Sequence, residues 1–264
     1  MTIPSRRADP AELAGRLVDA AAQRTGIEAL TTAYGAFDVA TAYEVQDAVV
    51  DARLKAGQQV VGAKLGLTSA AKQRQMHVDE PLYGWLTDDM ALDVGQPLDC
   101  GRFIQPRCEP EVAFLLSEDL EGTQVTAAHV LAATAALFPA IDVLDSRFAG
   151  YSFTLPDVVA DNASAAGFLL GGQATEPGGL DLRLTGMVLE KNGELVSTAA
   201  GAAVLGHPAA AVAWLVRALA ARDRGLLAGQ VVIAGALTEA IPVAPGDVVV
   251  AHFDRLGTVE LACR

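Results

Sequence analysis

The feature that most constrains this chain is a pair of glutamates, Glu109 and Glu111, separated by one proline within residues 105–116. The residues after Pro110 form a short apolar run, which predicts a buried strand. Strand side chains alternate between faces, so both carboxylates point the same way, about 7 Å apart at their backbones. Buried like charges repel each other and are costly to desolvate. A positive group should therefore lie between them, and oxygen donors favour a hard cation such as Mg²⁺ or Mn²⁺.

The same spacing also fits an edge strand that carries two solvated glutamates. A third acid bears on the choice. Asp142 lies in another short apolar run, residues 140–144, after a predicted helix. A buried acid usually needs a partner. Asp142 is therefore a candidate third ligand of a metal site, or else it pairs with Arg147 or Arg107.

Lys64 lies among apolar and glycine residues in the β-like stretch 60–68. A lysine in such a strand either extends its ammonium to the surface or is held near a carboxylate cluster. Lys64, Gly66 and Thr68 would share one face of the predicted strand. In a site, the ammonium would bind a substrate carboxylate or donate a proton.

Two further polar segments are candidates for the site. Asp79 and Glu80 lie in a loop bounded by proline and glycine, which is either a solvated turn or a mobile lid that supplies an acid or base. Residues 161–164 form a polar patch between two apolar runs. This patch is either a turn with local hydrogen bonds or a set of polar groups that faces a pocket.

Composition limits the possible functions. The chain has 264 residues, is 52% hydrophobic and has a mean hydropathy of +0.31, so it can bury a large core. Its formal charge of −13 argues against a nucleic-acid surface. No uninterrupted run reaches the roughly 20 apolar residues of a membrane span. The three cysteines lack CxxC spacing, and no apolar stretch of a signal peptide follows Arg6 and Arg7. We expect a cytoplasmic protein with reduced thiols.

Other motifs of enzyme sites are missing from the sequence. The histidines lack zinc-site spacing, and no GxGxxG, P-loop or GxSxG motif occurs.

Periodicity and turn residues predict the elements. One predicted helix is capped by Asp38 and ends at Gly57. The other predicted helices cover residues 9–24, 69–76, 127–137 and 208–222. The predicted strands after the core acids include 187–190 and 195–197, joined by an Asn192-Gly193 hairpin, and 231–234, 240–243 and 248–253. We expect a helical N-terminal region, residues 1–84, packed on a β-rich catalytic core, residues 85–264, as one structural unit.

These motifs together resemble the metal-dependent 2-oxopent-4-enoate hydratase and 4-oxalocrotonate decarboxylase family, within the fumarylacetoacetate hydrolase superfamily. The matching segments are in family order and span nearly the whole chain. They are residues 61–69, 78–84, 105–114, 145–147, 159–164, 190–194, 201–208 and 242–247.

The resemblance implies an α+β fold with a mixed β-roll core of the fumarylacetoacetate hydrolase C-terminal type. It also implies a divalent metal, Mg²⁺ or Mn²⁺, whose ligands map onto Glu109, Glu111 and Asp142. The third ligand is commonly Glu in the family and is Asp here. The family's lysine maps onto Lys64 and its loop acid onto Asp79, which are the catalytic candidates. The substrate-binding candidates are Thr68, Arg147, Asn162 and Ser164.

The implied chemistry uses the metal to chelate a 2-oxo acid and to stabilise the dienolate that forms from it. A decarboxylase would release CO₂ from 2-oxo-3-hexenedioate, and a hydratase would add water to 2-hydroxypenta-2,4-dienoate. Residues 71–76, 83–84, 146–148, 153–160 and 241–247 look more like the decarboxylases, whereas 105–107 and 211–215 look more like the hydratases. The sequence favours the decarboxylase.

Other functions of the same superfamily remain open. One is a C–C bond hydrolase or oxaloacetate decarboxylase that acts on a different keto acid. Another is a non-catalytic partner subunit, because decarboxylase and hydratase relatives associate with each other. The complete set of Lys64 and acids argues against an inactive paralogue. The resemblance further implies a small 2-oxo acid substrate and a homo-oligomer, with no nucleic-acid or membrane partner.

Overall fold

The computed structural model describes residues 9–35, 37–69, 73–74 and 78–264, and it shows an α+β architecture. The helices of this part are α1 (Pro10–Gln23), α2 (Leu30–Ala33), α3 (Val39–Lys55), α4 (Ala127–Ala132), α5 (Leu155–Ala160) and α6 (Pro208–Ala220). The strands are β1 (Val60–Gly66), β2 (Leu82–Thr87), β3 (Arg107–Leu116), β4 (Thr134–Leu144), β5 (Ala165–Leu170), β6 (Gly186–Lys191), β7 (Glu194–Ala200), β8 (Val231–Ile233), β9 (Ile241–Pro242), β10 (Val248–Phe253) and β11 (Gly257–Ala262).

The strands form two sheets. The larger sheet is mixed and curled, in the order β2-β1-β8-β3-β4-β5, and β9 pairs with the start of β3. In it, β1 and β8 are parallel, while the other pairs are antiparallel. The smaller sheet is antiparallel, in the order β11-β10-β6-β7. The central position of β3 buries a strand that carries two glutamates.

The N-terminal helices have the expected boundaries. The Asp9 side chain accepts a hydrogen bond from the Ala11 N–H (3.0 Å) at the start of α1. Asp38 caps α3 in the same way through the Thr41 N–H (2.8 Å). Gly57, with φ of +101°, follows the end of α3, where a left-handed residue ends a helix well. The apolar faces of α1 and α3 pack with β2 and α5 in one buried cluster.

The predicted hairpin is confirmed, whereas one helix is shorter than predicted. Asn192 and Gly193 have φ of +57° and +80°, as a tight hairpin turn requires. The helix predicted over 127–137 ends at Ala132, and Thr134 begins β4. Helix propensity of the alanines is overridden there because residues 134–144 pair along the whole of β3. Only residues 69, 73 and 74 of the helix predicted at 69–76 are among the described residues.

One described segment, Gly201–Ala220, is long and apolar enough by composition alone to span a membrane. Half of it is buried inside the protein, and Leu215, Val216 and Leu219 of α6 belong to the main core. Such burial is typical of a core helix. Cys100, Cys108 and Cys263 are free thiols and all are buried.

The division of the chain at residue 84 stays a prediction. β1 and β2 precede that point, yet both belong to the main sheet. Residues 62–64 of β1 pair with residues 231–233 of β8. This pairing supports the expectation that the two regions form one structural unit.

Gly84 of β2 lets another segment cross close to the sheet. A Cβ atom at Gly84 would lie 2.4 Å from the Asn162 carbonyl oxygen, and residues 162–164 all have positive φ, from +50° to +55°. The Asn162 side chain fastens this segment to β2, because its amide accepts from the Trp85 N–H (2.8 Å) and donates to the Trp85 carbonyl (2.9 Å). Gly84 also pairs directly with Lys64 of β1. The close approach therefore positions the segment beside Lys64.

We expect Gly84→Ala to lower the free energy of unfolding by about 1–3 kcal/mol, because the added methyl group meets main-chain atoms that have little room to move. Urea denaturation followed by circular dichroism measures the change. Gly186→Ala is the matched control, since a Cβ atom there would meet nothing within 4 Å. Equal losses in the two variants would contradict the proposed close contact.

Candidate metal centre and active site

β3 and β4 bring three carboxylates together. Glu109 and Asp142 are direct partners in the antiparallel register, and Glu111 follows on the same face of β3. Each residue offers one oxygen, and these oxygens all lie within 4.8 Å of one another. The three predicted metal ligands thus form one cluster.

The cluster is buried. Glu111 and Asp142 are 0% exposed and Glu109 is 7% exposed. β3 lies between β8 and β4, so the alternative of an edge strand with solvated glutamates is wrong. Burial raises the pKa of Glu111 well above its ordinary value, and the charges of Asp142 and Glu109 raise that pKa further. The ionised cluster is therefore under strong electrostatic repulsion.

Lys64 supplies positive charge from β1. It is 2% exposed, and its Nζ lies 2.5 Å from Oδ2 of Asp142 and donates to the Ala163 carbonyl (3.1 Å). The alternatives of a surface lysine and of an Asp142 paired with an arginine are therefore wrong. β8 and β3 separate β1 from β4 in the sheet order, so the contact depends on the curl of the sheet.

The loop after β8 holds Glu111. The Gly235 N–H donates to Oε2 of Glu111 (2.5 Å). Thr68 packs against this loop, since a Cβ atom at Gly235 would lie 2.2 Å from Thr68 Oγ1. Leu67 has φ of +55°, and β1 ends at Gly66. The strand alternation stops there, so Thr68 does not share the strand face of Lys64 and Gly66, which corrects that prediction.

Arg147 and Asn162 were predicted to contact substrate, and that role stays a prediction. The Arg147 guanidinium binds the Asp161 carboxylate through Nε and the Asp161 carbonyl through Nη2 (2.5 Å). The Asn162 amide is engaged by the backbone of Trp85. Both residues line a separate cavity of about 210 Å³ beside α1 and α3. Their contacts hold residues 161–164 in place.

The carboxylate cluster opens onto a cavity of about 370 Å³. Its lining includes the polar residues Lys64, Glu109 and Ser164. The Ser164 hydroxyl also lies 3.3 Å from Oδ2 of the buried Asp161. The lining also includes the apolar residues Leu67, Leu82, Leu144, Phe153 and Val158. This mixed lining suits a ligand with a charged head and an unsaturated or apolar chain.

Two cavity residues were missed as site residues in the sequence. Arg107 begins β3 and shares a strand face with Glu109, so the same i, i+2 spacing that identified Glu111 could have found it. Glu239 follows β8 in a loop and carries no comparable signal. Asp79 is exposed in a bend before β2 and is not among the residues that line the cavity, so its predicted role stays a prediction.

The donor set fits a hard divalent cation. Three carboxylates and one lysine leave a formal charge of −2. Oε1 of Glu111 is buried and has no hydrogen-bond partner among the described residues. A cation about 2.0–2.6 Å from each ligand oxygen would satisfy this atom and offset the repulsion. The purely oxygen ligands favour Mg²⁺, Mn²⁺ or Ca²⁺ over softer metals.

Comparisons with known proteins agree with this site. Residues 56–263 match the fumarylacetoacetate (FAA) hydrolase C-terminal family. The chain is 43% identical to a 4-oxalocrotonate decarboxylase of Pseudomonas sp. (strain CF600), over 89% of each chain. It is 40% identical to a 2-keto-4-pentenoate hydratase of Paraburkholderia xenovorans (strain LB400), over 94% of this chain and 93% of the relative.

A solved structure extends the match to the fold. The 4-oxalocrotonate decarboxylase from Pseudomonas putida G7, complexed with magnesium and adipate, superposes with a TM-score of 0.94 at 38% identity, over 97% of each chain. The mixed β-roll fold expected from the motifs is thereby confirmed. The chain belongs to the fumarylacetoacetate hydrolase C-terminal family, as its motifs predicted.

Proposed function

We propose that this protein is a divalent-metal-dependent lyase that acts on 2-oxo acids of aromatic meta-cleavage catabolism. Its proposed reaction is the decarboxylation of 4-oxalocrotonate (2-oxo-3-hexenedioate). The observation that carries the proposal is the buried cluster of Glu109, Glu111 and Asp142 with Lys64, beside a cavity lined by both polar and apolar residues. The similarity to 4-oxalocrotonate decarboxylases over nearly the whole chain supports the reaction.

Glu109, Glu111 and Asp142 would hold Mg²⁺ or Mn²⁺. The related decarboxylase that contains magnesium supports this assignment. When bound, the cation would act as a Lewis acid for negative charge that develops on the 2-oxo oxygen of the substrate. The Gly235 N–H would keep one Glu111 oxygen oriented, which leaves the other oxygen for the metal.

Lys64 is the candidate group for proton transfer or for orienting a carboxylate. Lys64 forms an ion pair with Asp142 and donates a hydrogen bond to the Ala163 carbonyl. Lys64 also lines the cavity, where its ammonium would contact a ligand. Ser164 is proposed to contact the substrate from the same side. Asp79 and Thr68 remain candidates for a proton carrier and a substrate contact, respectively.

Hydration of 2-hydroxypenta-2,4-dienoate is the second candidate reaction. It uses the same electron-withdrawing site, and the 40% identity to a 2-keto-4-pentenoate hydratase favours it. A C–C hydrolase and a non-catalytic subunit have weaker support, because the acids and Lys64 are all present and in contact.

We further propose that the protein is a cytoplasmic homo-oligomer, and that it can associate with a hydratase or decarboxylase relative. Strand β7 supports oligomer formation, since it is the last strand of the smaller sheet and exposes Leu195 and Val196. Such apolar edge strands are usually covered.

We expect Glu109→Ala to reduce metal-dependent turnover by more than about 100-fold, because it removes a metal ligand. The fold should persist, since removal of one of three clustered carboxylates relieves repulsion. Mn²⁺ titration followed by electron paramagnetic resonance, together with circular dichroism, separates the two effects. Glu118→Ala, at an exposed position just after β3, is the control. Unchanged turnover in Glu109→Ala would contradict the metal site.

Lys64→Met should lower kcat by about 10²–10⁴-fold, as expected for loss of a proton-transfer group. The Mn²⁺ affinity should change far less, because the three ligands remain. Lys55→Met, at an exposed position in the last turn of α3, is the matched control. If Lys64→Met turns over substrate at the rate of the wild type, Lys64 has only a structural role.

Turnover with Mg²⁺ distinguishes the two reactions. We expect 2-oxo-3-hexenedioate to be consumed with stoichiometric release of CO₂, measured in parallel with the ultraviolet absorbance of the dienol. Addition of water to 2-hydroxypenta-2,4-dienoate without any CO₂ release from the diacid would contradict the decarboxylase and support the hydratase.

A further inference from the structure

Arg107 is a cavity residue that neither the metal site nor the proton-transfer scheme uses. We propose that Arg107 binds the 1-carboxylate of the 2-oxo acid, the carboxylate next to the oxo group, and so directs the far end of the substrate away from itself into the rest of the cavity. The inference rests on the proposed function, because it assumes a 2-oxo acid ligand.

The position of Arg107 places it next to the metal ligands. It is the first residue of β3, and it lies two residues before Glu109 on the same strand face, about 7 Å away at the backbone. Its side chain is half-buried and lines the same cavity as Glu109 and Lys64. A substrate head group bound beside Glu109 would therefore lie within reach of the guanidinium.

Tyr151 holds the guanidinium in place. The Arg107 Cζ lies 3.9 Å from the centroid of the Tyr151 ring. The Tyr151 hydroxyl lies 3.2 Å from the Leu144 carbonyl oxygen and 3.3 Å from that of Gln105, and Leu144 is the residue paired with Arg107 across the sheet. Stacking occupies a face of the guanidinium, so its N–H groups at the edge remain able to bind a carboxylate.

Charge balance in the cavity favours an anionic ligand at this point. Lys64 already pairs with Asp142. Among the residues that the structure describes, no carboxylate forms an ion pair with Arg107. A partly desolvated guanidinium without an anionic partner is a recognition site for a carboxylate, and one oxygen of the 1-carboxylate is enough to accept its hydrogen bonds while the other remains free for the metal.

The chemistry decides which carboxylate Arg107 binds. In decarboxylation, the far carboxylate loses its charge as the C–C bond breaks and the electrons move toward the 2-oxo group. An ion pair with that carboxylate would stabilise the substrate more than the transition state and would slow the reaction. The 1-carboxylate keeps its charge throughout, so its ion pair carries no such penalty. The same carboxylate is present in the hydratase substrate.

The apolar residues of the cavity complement this orientation. They include Leu82, Phe153 and Val158. With the 1-carboxylate on Arg107, the alkene and the departing CO₂ would lie among apolar side chains of the cavity. An apolar environment favours loss of a charged carboxylate as neutral CO₂. Arg107 would thus bind the substrate and set which end reacts.

The test measures binding without turnover. The Mg²⁺-loaded full chain is titrated calorimetrically with 2-oxopentanoate, which has only the 1-carboxylate. We expect Arg107→Met to weaken this binding by about 10-fold or more, as loss of a charge-assisted hydrogen bond predicts. The Mn²⁺ affinity should stay within about 3-fold, since no metal ligand changes. Arg102→Met, at an exposed arginine five positions earlier, is the control and should bind 2-oxopentanoate as tightly as the wild type does.

Kinetics then identify the carboxylate. Arg107→Met should weaken binding of 2-oxo-3-hexenedioate and of 2-hydroxypenta-2,4-dienoate by similar factors, measured as the KM of the compound that is turned over and as the competitive inhibition constant of the other. A weakening confined to the six-carbon diacid would overturn the inference, because Arg107 would then bind the far carboxylate. Unchanged affinity for 2-oxopentanoate would also overturn it. If Arg107→Met fails to bind Mn²⁺, Arg107→Gln takes its place under the same criteria. Failure of the wild type to bind any 2-oxo acid would instead refute the proposed function, and with it this inference.

Discussion

The contact between Lys64 and Asp142 is the interaction on which the arrangement of the site depends. Both groups are almost fully buried, and their charged atoms lie 2.5 Å apart. An unpaired buried charge is strongly destabilising, so Lys64 stabilises Asp142 in the absence of a bound cation. The pair joins β1 to β4 across the interior of a curled sheet. It also fixes residues 162–164, because Lys64 donates to the Ala163 carbonyl and Gly84 leaves room for that segment.

The three carboxylates of the cluster repel one another, and a bound cation would offset this repulsion. One lysine does not neutralise three carboxylates, and burial raises the pKa of Glu111 well above its usual value. The fold positions these acids through strand register and through the Gly235 N–H, not through mutual attraction. A preformed set of ligands that repel one another needs little rearrangement to bind a metal.

The cavity separates two tasks of the proposed chemistry. Its polar residues would hold the metal and the charged head of a 2-oxo acid, and its apolar residues would surround the carbon chain. Such a division lets the charge that develops in the reaction move toward the metal while the rest of the substrate is shielded from water. The relatives include both decarboxylases and hydratases. This agrees with one electron-withdrawing site that can serve two different reactions.

Local signals in the sequence identified much of the site. Alternation along a short apolar run placed Glu109 and Glu111 on one face, and the apolar neighbours of Asp142 marked it as a buried acid. Asp38, Gly57 and the Asn192-Gly193 turn set element boundaries in the same local way. These signals act over a few residues, so they can be read without knowledge of the fold.

The sequence by itself therefore determined which residues share a strand face and that the buried acids need a cation. Only the tertiary structure decided which faces meet. Strand register set Glu109 opposite Asp142, and the curl of the sheet brought Lys64 to them. Because Leu67 has a left-handed backbone conformation, Thr68 does not share the strand face of Lys64. The ion pair with Asp161 holds Arg147 at the cavity beside α1 and α3. The physical reason is that these contacts join residues far apart in the chain, where register and sheet curvature, not local periodicity, fix the distances.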